Sequence, residues 1–402
     1  MKNFGTIYRY EIKKLVNRKL VKVSLFCMLV IVLVTVAGSV MGSYSAGGIT
    51  ERNYDAMCKD REYRQALDGR LIDQALLEEV MEAYGKVPEV EKYSRTEEYQ
   101  TYARPYSAVF QQVIRRMSGM TTAQVFAWEP EEQEFYERWN ATMEQQWASS
   151  HLTEREKEVF REQKKRISLP LRFFSVDDSY YELFEGINTI GMMEVFLMLI
   201  CLAGVFPEEH AKKTDQLLLG CRNGKQVLFR AKLLAGISFA LVVSVVYAVL
   251  AMGVAFLLYG ADGFDAPFYF IMESYLYPIT FGEAILICYG LSVAAAVCSA
   301  VFVMALSEVI HSSLATLSLS VGVLFAGMFL SIPAEYRVLS QLWDYLPSRF
   351  MMVYKIFDYR MVPVGNHYLM AWQAVPFLYL LLCIVFSWIG KKVYLRYQVS
   401  GR

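Results

Sequence analysis

Residues Leu233 to Tyr259 read LLAGISFALVVSVVYAVLAMGVAFLLY, 27 consecutive positions without a charge. As a helix rising about 1.5 Å per residue, such a run exceeds the ~30 Å of a bilayer's hydrocarbon core. Lipid offers no partner to backbone N–H and C=O groups, so a helix is the conformation in which such a run can cross it. Five further runs meet the same test: 23–41, 187–206, 284–306, 312–332 and 368–390. Only 187–206 contains a charge, Glu194. The fold class expected is therefore an all-α polytopic membrane protein with six transmembrane helices. The first run follows Lys19 and Lys22 and precedes small residues, as a secretory signal would, but its 19-residue core favours a retained anchor.

The remaining composition is segregated. The chain has 402 residues, 55% of them hydrophobic, and 40 basic against 40 acidic side chains give no net charge, which excludes a chain basic enough to imply nucleic acid as a partner. Residues 43–186 hold 19 basic and 27 acidic side chains, more than half of all charges. This 144-residue segment reads as a large, mostly helical extracellular domain between the first two spans. Helices are expected over Asp60–Tyr84, Pro105–Met117 and Glu131–Trp147. Ser94 with Glu97, and Thr153 with Glu156, have capping-box spacing, and Leu169-Pro170 is placed to close the helix that Thr153 opens. Of seven cysteines only Cys58 lies in this insert, so it has no internal disulfide or zinc ribbon.

Basic residues in short loops set the orientation. Segments 1–22, 207–232 and 391–402 carry seven, six and four Lys/Arg, whereas 260–279 and 333–367 carry none and four. Both termini are accordingly expected in the cytoplasm and the insert outside. Within 1–22, Phe4, Tyr8, Ile12 and Leu15 share one helical face, away from Lys2, Arg9 and Lys13, which predicts an interfacial helix at the inner headgroups.

The loop after the second span reads VFPEEHAKKTDQLLLGCRNGKQVLFRAKLLAG, Val205 to Gly236. Pro207 can start a helix, and Glu208 and Glu209 sit where its dipole favours acids. A leucine run follows, then Gly220 and Gly224. A short helix of this kind, held at the membrane face between two spans, presents a compact docking surface to a soluble partner.

This loop resembles the signature loop of ABC-2 type transporter permeases: a Phe ending span two, an acid close behind, a Thr-Asp-Leu-Leu-like helix, a small turn and an Ala-Lys-Leu entry to span three. The matching positions are Phe206, Glu208, Glu209, Thr214, Asp215, Leu217, Leu218, Gly224, Lys225, Arg230, Ala231, Lys232 and Leu233. The N-terminal helix, six spans and large external insert fit the same family, and the insert bears a general similarity to permeases of Firmicutes. The resemblance implies a bacterial plasma-membrane subunit of an exporter. Its coupling helix, with Phe206, Glu208, Glu209, Thr214, Asp215, Leu217 and Leu218, would dock on a separate ATPase subunit. It further implies pairing with a second permease chain, identical or similar, no cofactor in this chain, and ATP bound by the partner. In segment 333–367, rich in aromatics, the resemblance implies short re-entrant helices with a turn at Tyr345-Leu346-Pro347; an interfacial aromatic belt accounts for the same residues.

Two intramembrane acids stand as candidate pathway residues, Glu194 and Glu283. Glu283 reads as a boundary residue, and Glu194 as a hydrogen-bond partner to a neighbouring helix. Glu308 and His311, in the tight turn 307–311, are expected to face water. Enzyme motifs are lacking: Gly220 to Gln226 has three residues between its glycines and no Ser/Thr for magnesium, and the four histidines are scattered. A second reading, from another class, is a polytopic sensor or assembly scaffold whose external domain binds a ligand. The cargo is not legible; the apolar spans are compatible with a lipid, an amphipathic peptide or a drug.

Overall fold

A computed structural model of the protein describes residues 4–46, 49–208, 224–270, 272, 275–365 and 367–396. Helix α1 (Phe4–Val16) ends one turn before α2 (Lys19–Ala37), the first of five helices long and apolar enough to cross a membrane. A hairpin, β1 (Ser43–Ala46) and β2 (Ile49–Arg52), leads into the insert. Its helices are α3 (Asn53–Leu67), α4 (Gln74–Gly85), α5 (Thr122–Phe126), α6 (Glu132–Ser149) and α7 (Glu154–Lys164), with π-helical turns over Tyr99–Ala103 and Val109–Met117. Then come α8 (Asp178–Leu202), α9 (Gly224–Tyr259), α10 (Phe281–Ile310), α11 (Ser313–Phe329), α12 (Arg337–Asp344), α13 (Val353–Ile356), a short hairpin of β3 (Val362–Val364) and β4 (His367–Leu369), and α14 (Ala371–Arg396).

The apolar helices run alternately between two ends of one bundle. One end carries α1 and the close of α14; the insert covers the other. Helix α10 is the axis, packed against α8, α9, α11 and α14, while α8 also packs on α2 and α9. Position explains composition: α8 and α10 bury most of their surface among other helices, whereas α2 and α14 leave most of theirs exposed, with Phe377, Leu381, Ile384 and Trp388 turned outward.

Several expected boundaries shift. The second apolar helix begins at Asp178, not 187, because the amphipathic turn Asp178–Gly186 continues it into the insert. The run 312–332 yields α11, 17 residues and ~25 Å long, shorter than the other five. Its end is set from outside: Arg349 Nη1 donates to the carbonyls of Gly327, Met328 and Leu330, and Trp343 Nε1 donates to Leu330 O at 2.8 Å. These bonds satisfy carbonyls that a longer helix would have satisfied internally.

Three local expectations within the insert are corrected. The continuous helix over Asp60–Tyr84 is two helices. Gly69 adopts a positive φ of 76°, its N–H donates to Phe173 O, and Ile72 N donates to Leu171 O, so tertiary pairing breaks the helix and Asp73 caps the next at Leu76 N. Ser94 caps nothing: it lies in a 3₁₀ turn, and Thr96 Oγ1 accepts from Tyr99 N instead. Between 105 and 117 the expected α-helix is mostly π-helical, widened as Val109, Phe110, Val113 and Ile114 are buried together. The Thr153–Glu156 capping box is present, and α7 ends at Lys164, before the Leu169-Pro170 pair. The insert's core is aromatic, with Tyr84 stacked on Phe110 at 3.7 Å between ring centroids, Tyr93 and Tyr99 edge-on to Tyr84, and Phe126 tilted against both stacked rings.

Candidate functional site at the amino-terminal junction

The second apolar helix unwinds after Leu202, and a new helical turn opens at Pro207-Glu208, as the proline predicts. Phe206 thereby swings into the bundle. It is buried, stacked on Phe229 of α9 at 5.6 Å and tilted against Tyr394 of α14 at 5.7 Å. The three rings tie the ends of α8, α9 and α14 together at one level.

Lys232 enters this cluster from α9. Its side chain is fully buried, with the ammonium 5.3 Å from the centre of the Phe206 ring, donating to Val205 O at 3.0 Å and standing 3.8 Å from Glu11 Oε2. An ammonium that deep is tolerable only with such partners: a π face, a carbonyl and a carboxylate. Glu11, itself buried, lies on the face of α1 that packs along α9, where Tyr8 Oη donates to Ser238 Oγ at 2.8 Å. The stripe Phe4, Tyr8, Ile12, Leu15 thus faces protein, with Leu15 buried, while Arg9 and Lys13 are exposed.

A second ion pair closes the junction. Arg18, at the corner between α1 and α2, meets Glu208 Oε2 at 3.0 Å and reaches Gly204 O at 3.4 Å. The helix α1 is therefore fastened at its middle to the start of α9 and at its end to the start of the 207–232 loop. Of the residues expected in the coupling helix, Phe206 and Glu208 sit in this junction; Glu209, Thr214, Asp215, Leu217 and Leu218 lie outside the described residues.

Glu194 and Glu283 belong to other places. Glu194 is buried in the middle of the bundle and accepts a 2.6 Å hydrogen bond from Ser292 Oγ of α10, which joins α8 to its main neighbour; no hydrogen-bond partner faces its Oε1 among the described residues. Glu283 is exposed and is the third residue of the α10 capping box, accepting from Thr280 N at 2.9 Å, a boundary role. Glu308, expected in water, is instead fully buried, because α10 continues to Ile310 and carries it within the packed helix; His311 ends α10 in the left-handed region, at φ 58°.

Sequence reasoning missed Glu11, Arg18 and Tyr394 as members of this site and had Lys232 only as the lysine of the Ala-Lys-Leu entry to span three. One signal was available: Glu11 lies beside the apolar stripe of an otherwise basic segment. Among the described residues no group of His, Cys, Asp and Glu could hold a metal ion. No protein-family model matches this chain, and no curated protein or solved structure matches it.

Proposed function

We propose that this chain is the membrane-spanning subunit of an ATP-driven exporter of the ABC-2 permease type, in a bacterial plasma membrane. In this reading both termini are cytoplasmic, α11 counts as a sixth span, the insert is extracellular, and the chain pairs with a second permease chain. ATP is bound and hydrolysed by a separate subunit. The observation that carries the reading is the double fastening of α1 around the loop that follows the second apolar helix, through Arg18 to Glu208 at its start and through Glu11 to Lys232, two turns into α9.

The consequence is mechanical. A push on the loop from a docked ATPase passes through Phe206 into the ends of α8, α9 and α14, and through the two ion pairs into α1. These elements then move as one body and tilt the bundle, a rigid-body transition of the kind that opens pathways. A sensor or scaffold has no use for a loop so firmly geared to the helix ends.

The test is affinity purification of the full chain from its native membrane in mild detergent, with assay of ATP hydrolysis and identification of co-purifying proteins. A P-loop ATPase is expected with the native chain and lost with Glu208→Lys plus Glu209→Lys. Since Glu208 also pairs with Arg18, the exchange Arg18→Glu with Glu208→Arg is the companion variant: it keeps the pair but reverses the loop's charge, and it too is expected to lose the ATPase. Undiminished ATPase recovery with the doubly reversed loop overturns the docking assignment. Recovery of the chain with an external partner and no ATPase favours a sensor or scaffold.

A further inference from the structure

The bundle contains an apolar cleft that the junction does not use. Helix α11 packs on α10 and α8, and α14 packs on α10 and α9, so α11 and α14 stand apart on one side. Between them lies a cavity of about 210 Å³. Val195 and Leu199 of α8 and Ser299 and Phe302 of α10 form its floor, and Val323 of α11 and Leu382 of α14 its mouth.

Its roof is fixed. Leu346, Pro347 and Ser348 dip into the bundle from the insert end, and Ser348 packs so closely on Gly327 that a Cβ there would overlap its hydroxyl. Arg349 holds the roof by its bonds to the carbonyls of Gly327, Met328 and Leu330. The space therefore cannot close by settling of the roof, and protein interiors seldom leave voids of this size. It exceeds the ~150 Å³ cavity that stays dry and takes up benzene.

Among the described residues no charged side chain lines the cleft; its polar groups are the hydroxyls of Ser299, Ser320 and Ser348 in an otherwise apolar wall, and that of Ser320 donates to its own helix at Thr316 O, 2.8 Å away. The mouth is continuous with an apolar exterior: Val323 is half exposed, and Leu319, Leu381, Ile384 and Val385 are exposed beside it. A recess of this kind, opening sideways onto an apolar outer face, selects an alkyl chain over a polar or charged ligand; its access to lipid rests on the reading of α11 as a sixth span.

We propose that the cleft between α11 and α14 binds one alkyl chain of an amphiphile, through the floor residues Val195, Leu199 and Phe302. The site shares no residue with the amino-terminal junction, so it stands or falls independently of ATPase docking. Two sources offer this chemistry, a tail of a bilayer phospholipid and a free single-chain amphiphile.

The full-length chain is reconstituted in phosphatidylcholine vesicles in which either the phospholipid or an added single-chain amphiphile carries a terminal diazirine, and photoadducts are mapped by mass spectrometry. Adducts are expected to concentrate on the peptides bearing Val195, Leu199, Phe302 and Leu382. They should fall about tenfold in Val323→Trp, which blocks the mouth from the exposed side. Leu381→Trp, on the neighbouring exterior, should leave them unchanged. Labelling from the phospholipid assigns a resident lipid tail, and labelling from the single chain that unlabelled phospholipid does not suppress assigns a free amphiphile; either supports the site. Adducts spread evenly over the exposed faces of α2, α9 and α14, or unaltered by Val323→Trp, overturn it. So does efficient disulfide formation between two copies of Val323→Cys without cleft labelling, which would put a second chain there.

Discussion

Lys232 lies two turns into α9, the 27 residues that follow it carry no charge, and it points inward instead of reaching for water. Taking an ammonium out of water costs several kcal/mol, which Glu11, Val205 O and the Phe206 ring offset only together. Removing one partner should therefore do more harm than removing both. Lys232→Met leaves the Glu11 carboxylate buried without its cation and should cost about 3–5 kcal/mol, whereas Lys232→Met with Glu11→Leu should recover most of that loss. Thermal unfolding midpoints of the purified chain in mild detergent check both; a double variant as unstable as the single one would show that the pair is not the stabilising unit. The pairing was not legible in the sequence, since the partners are over 200 positions apart and a lysine before an apolar run reads as an interface anchor. The loop pattern singled out Phe206 and Glu208, but not their contacts with Tyr394 and Arg18, which arise when α14 and α1 come together at one end of the bundle.

Long apolar runs, uncharged but for Glu194, marked where the long helices lie, and five of the six expected spans emerged as helices long enough to cross a membrane, because lipid-like burial leaves the backbone few alternatives. Lengths were less legible wherever a neighbouring element supplied the terminal hydrogen bonds, as Arg349 does for α11 and the 171–173 strand-like segment does for the break before α4. The segment that carries Arg349 is itself organised by one carboxylate. Asp344 takes hydrogen bonds from Arg349 at 3.0 Å, Lys355 at 2.7 Å and Arg360 at 2.8 Å, and Arg360 also donates to Ser340 Oγ and Asp358. Burial raises the Asp344 pKa, but the hydrogen bonds and charges of Lys355, Arg360 and Arg349 outweigh it and hold the carboxyl below its usual value. A carboxylate depressed in the folded state adds stability that is complete above its unfolded pKa of about 3.9 and disappears as pH falls through the lower folded value. Asp344→Asn should cost about 3 kcal/mol at neutral pH, and less as pH falls toward the depressed pKa of the native carboxyl. Limited proteolysis of segment 333–360 in native and variant chains across pH 3 to 7 measures this; equal protection at neutral pH would remove Asp344 as the organiser.

At the scale of the whole molecule the insert is welded to the loops that join the apolar helices, so it is part of the bundle's lid and not a free appendage. Phe160 of α7 lies edge-on to Tyr277 at 5.7 Å and to Tyr359 at 5.8 Å; Tyr359 stacks on Tyr275, and Tyr277 meets Trp372 at the start of α14. Beside these rings Glu156, fully buried, divides its two oxygens. Oε2 accepts from Thr153 N and Oγ1 in the capping box, while Oε1 accepts from Met361 N at 2.7 Å and from Arg337. One carboxylate thus both starts α7 and ties it to the segment that roofs the apolar cleft. The cap was legible as Thr153-x-x-Glu156; the second oxygen's partners, about 180 and 205 positions away, were not. Glu156→Gln separates the two duties. Its amide oxygen can keep the cap, but the amide NH₂ then faces Arg337 and Met361 N, donors that offer it nothing to bind. Hydrogen exchange should therefore quicken about tenfold across 337–361, the equivalent of 1.4 kcal/mol, while 154–164 stays protected. Arg337→Met should loosen the same outer segment with the cap untouched. If 154–164 opens along with 337–361 in Glu156→Gln, the cap and the tie form one cooperative unit; if neither opens, the aromatic layer around Tyr277 alone holds the insert to the bundle.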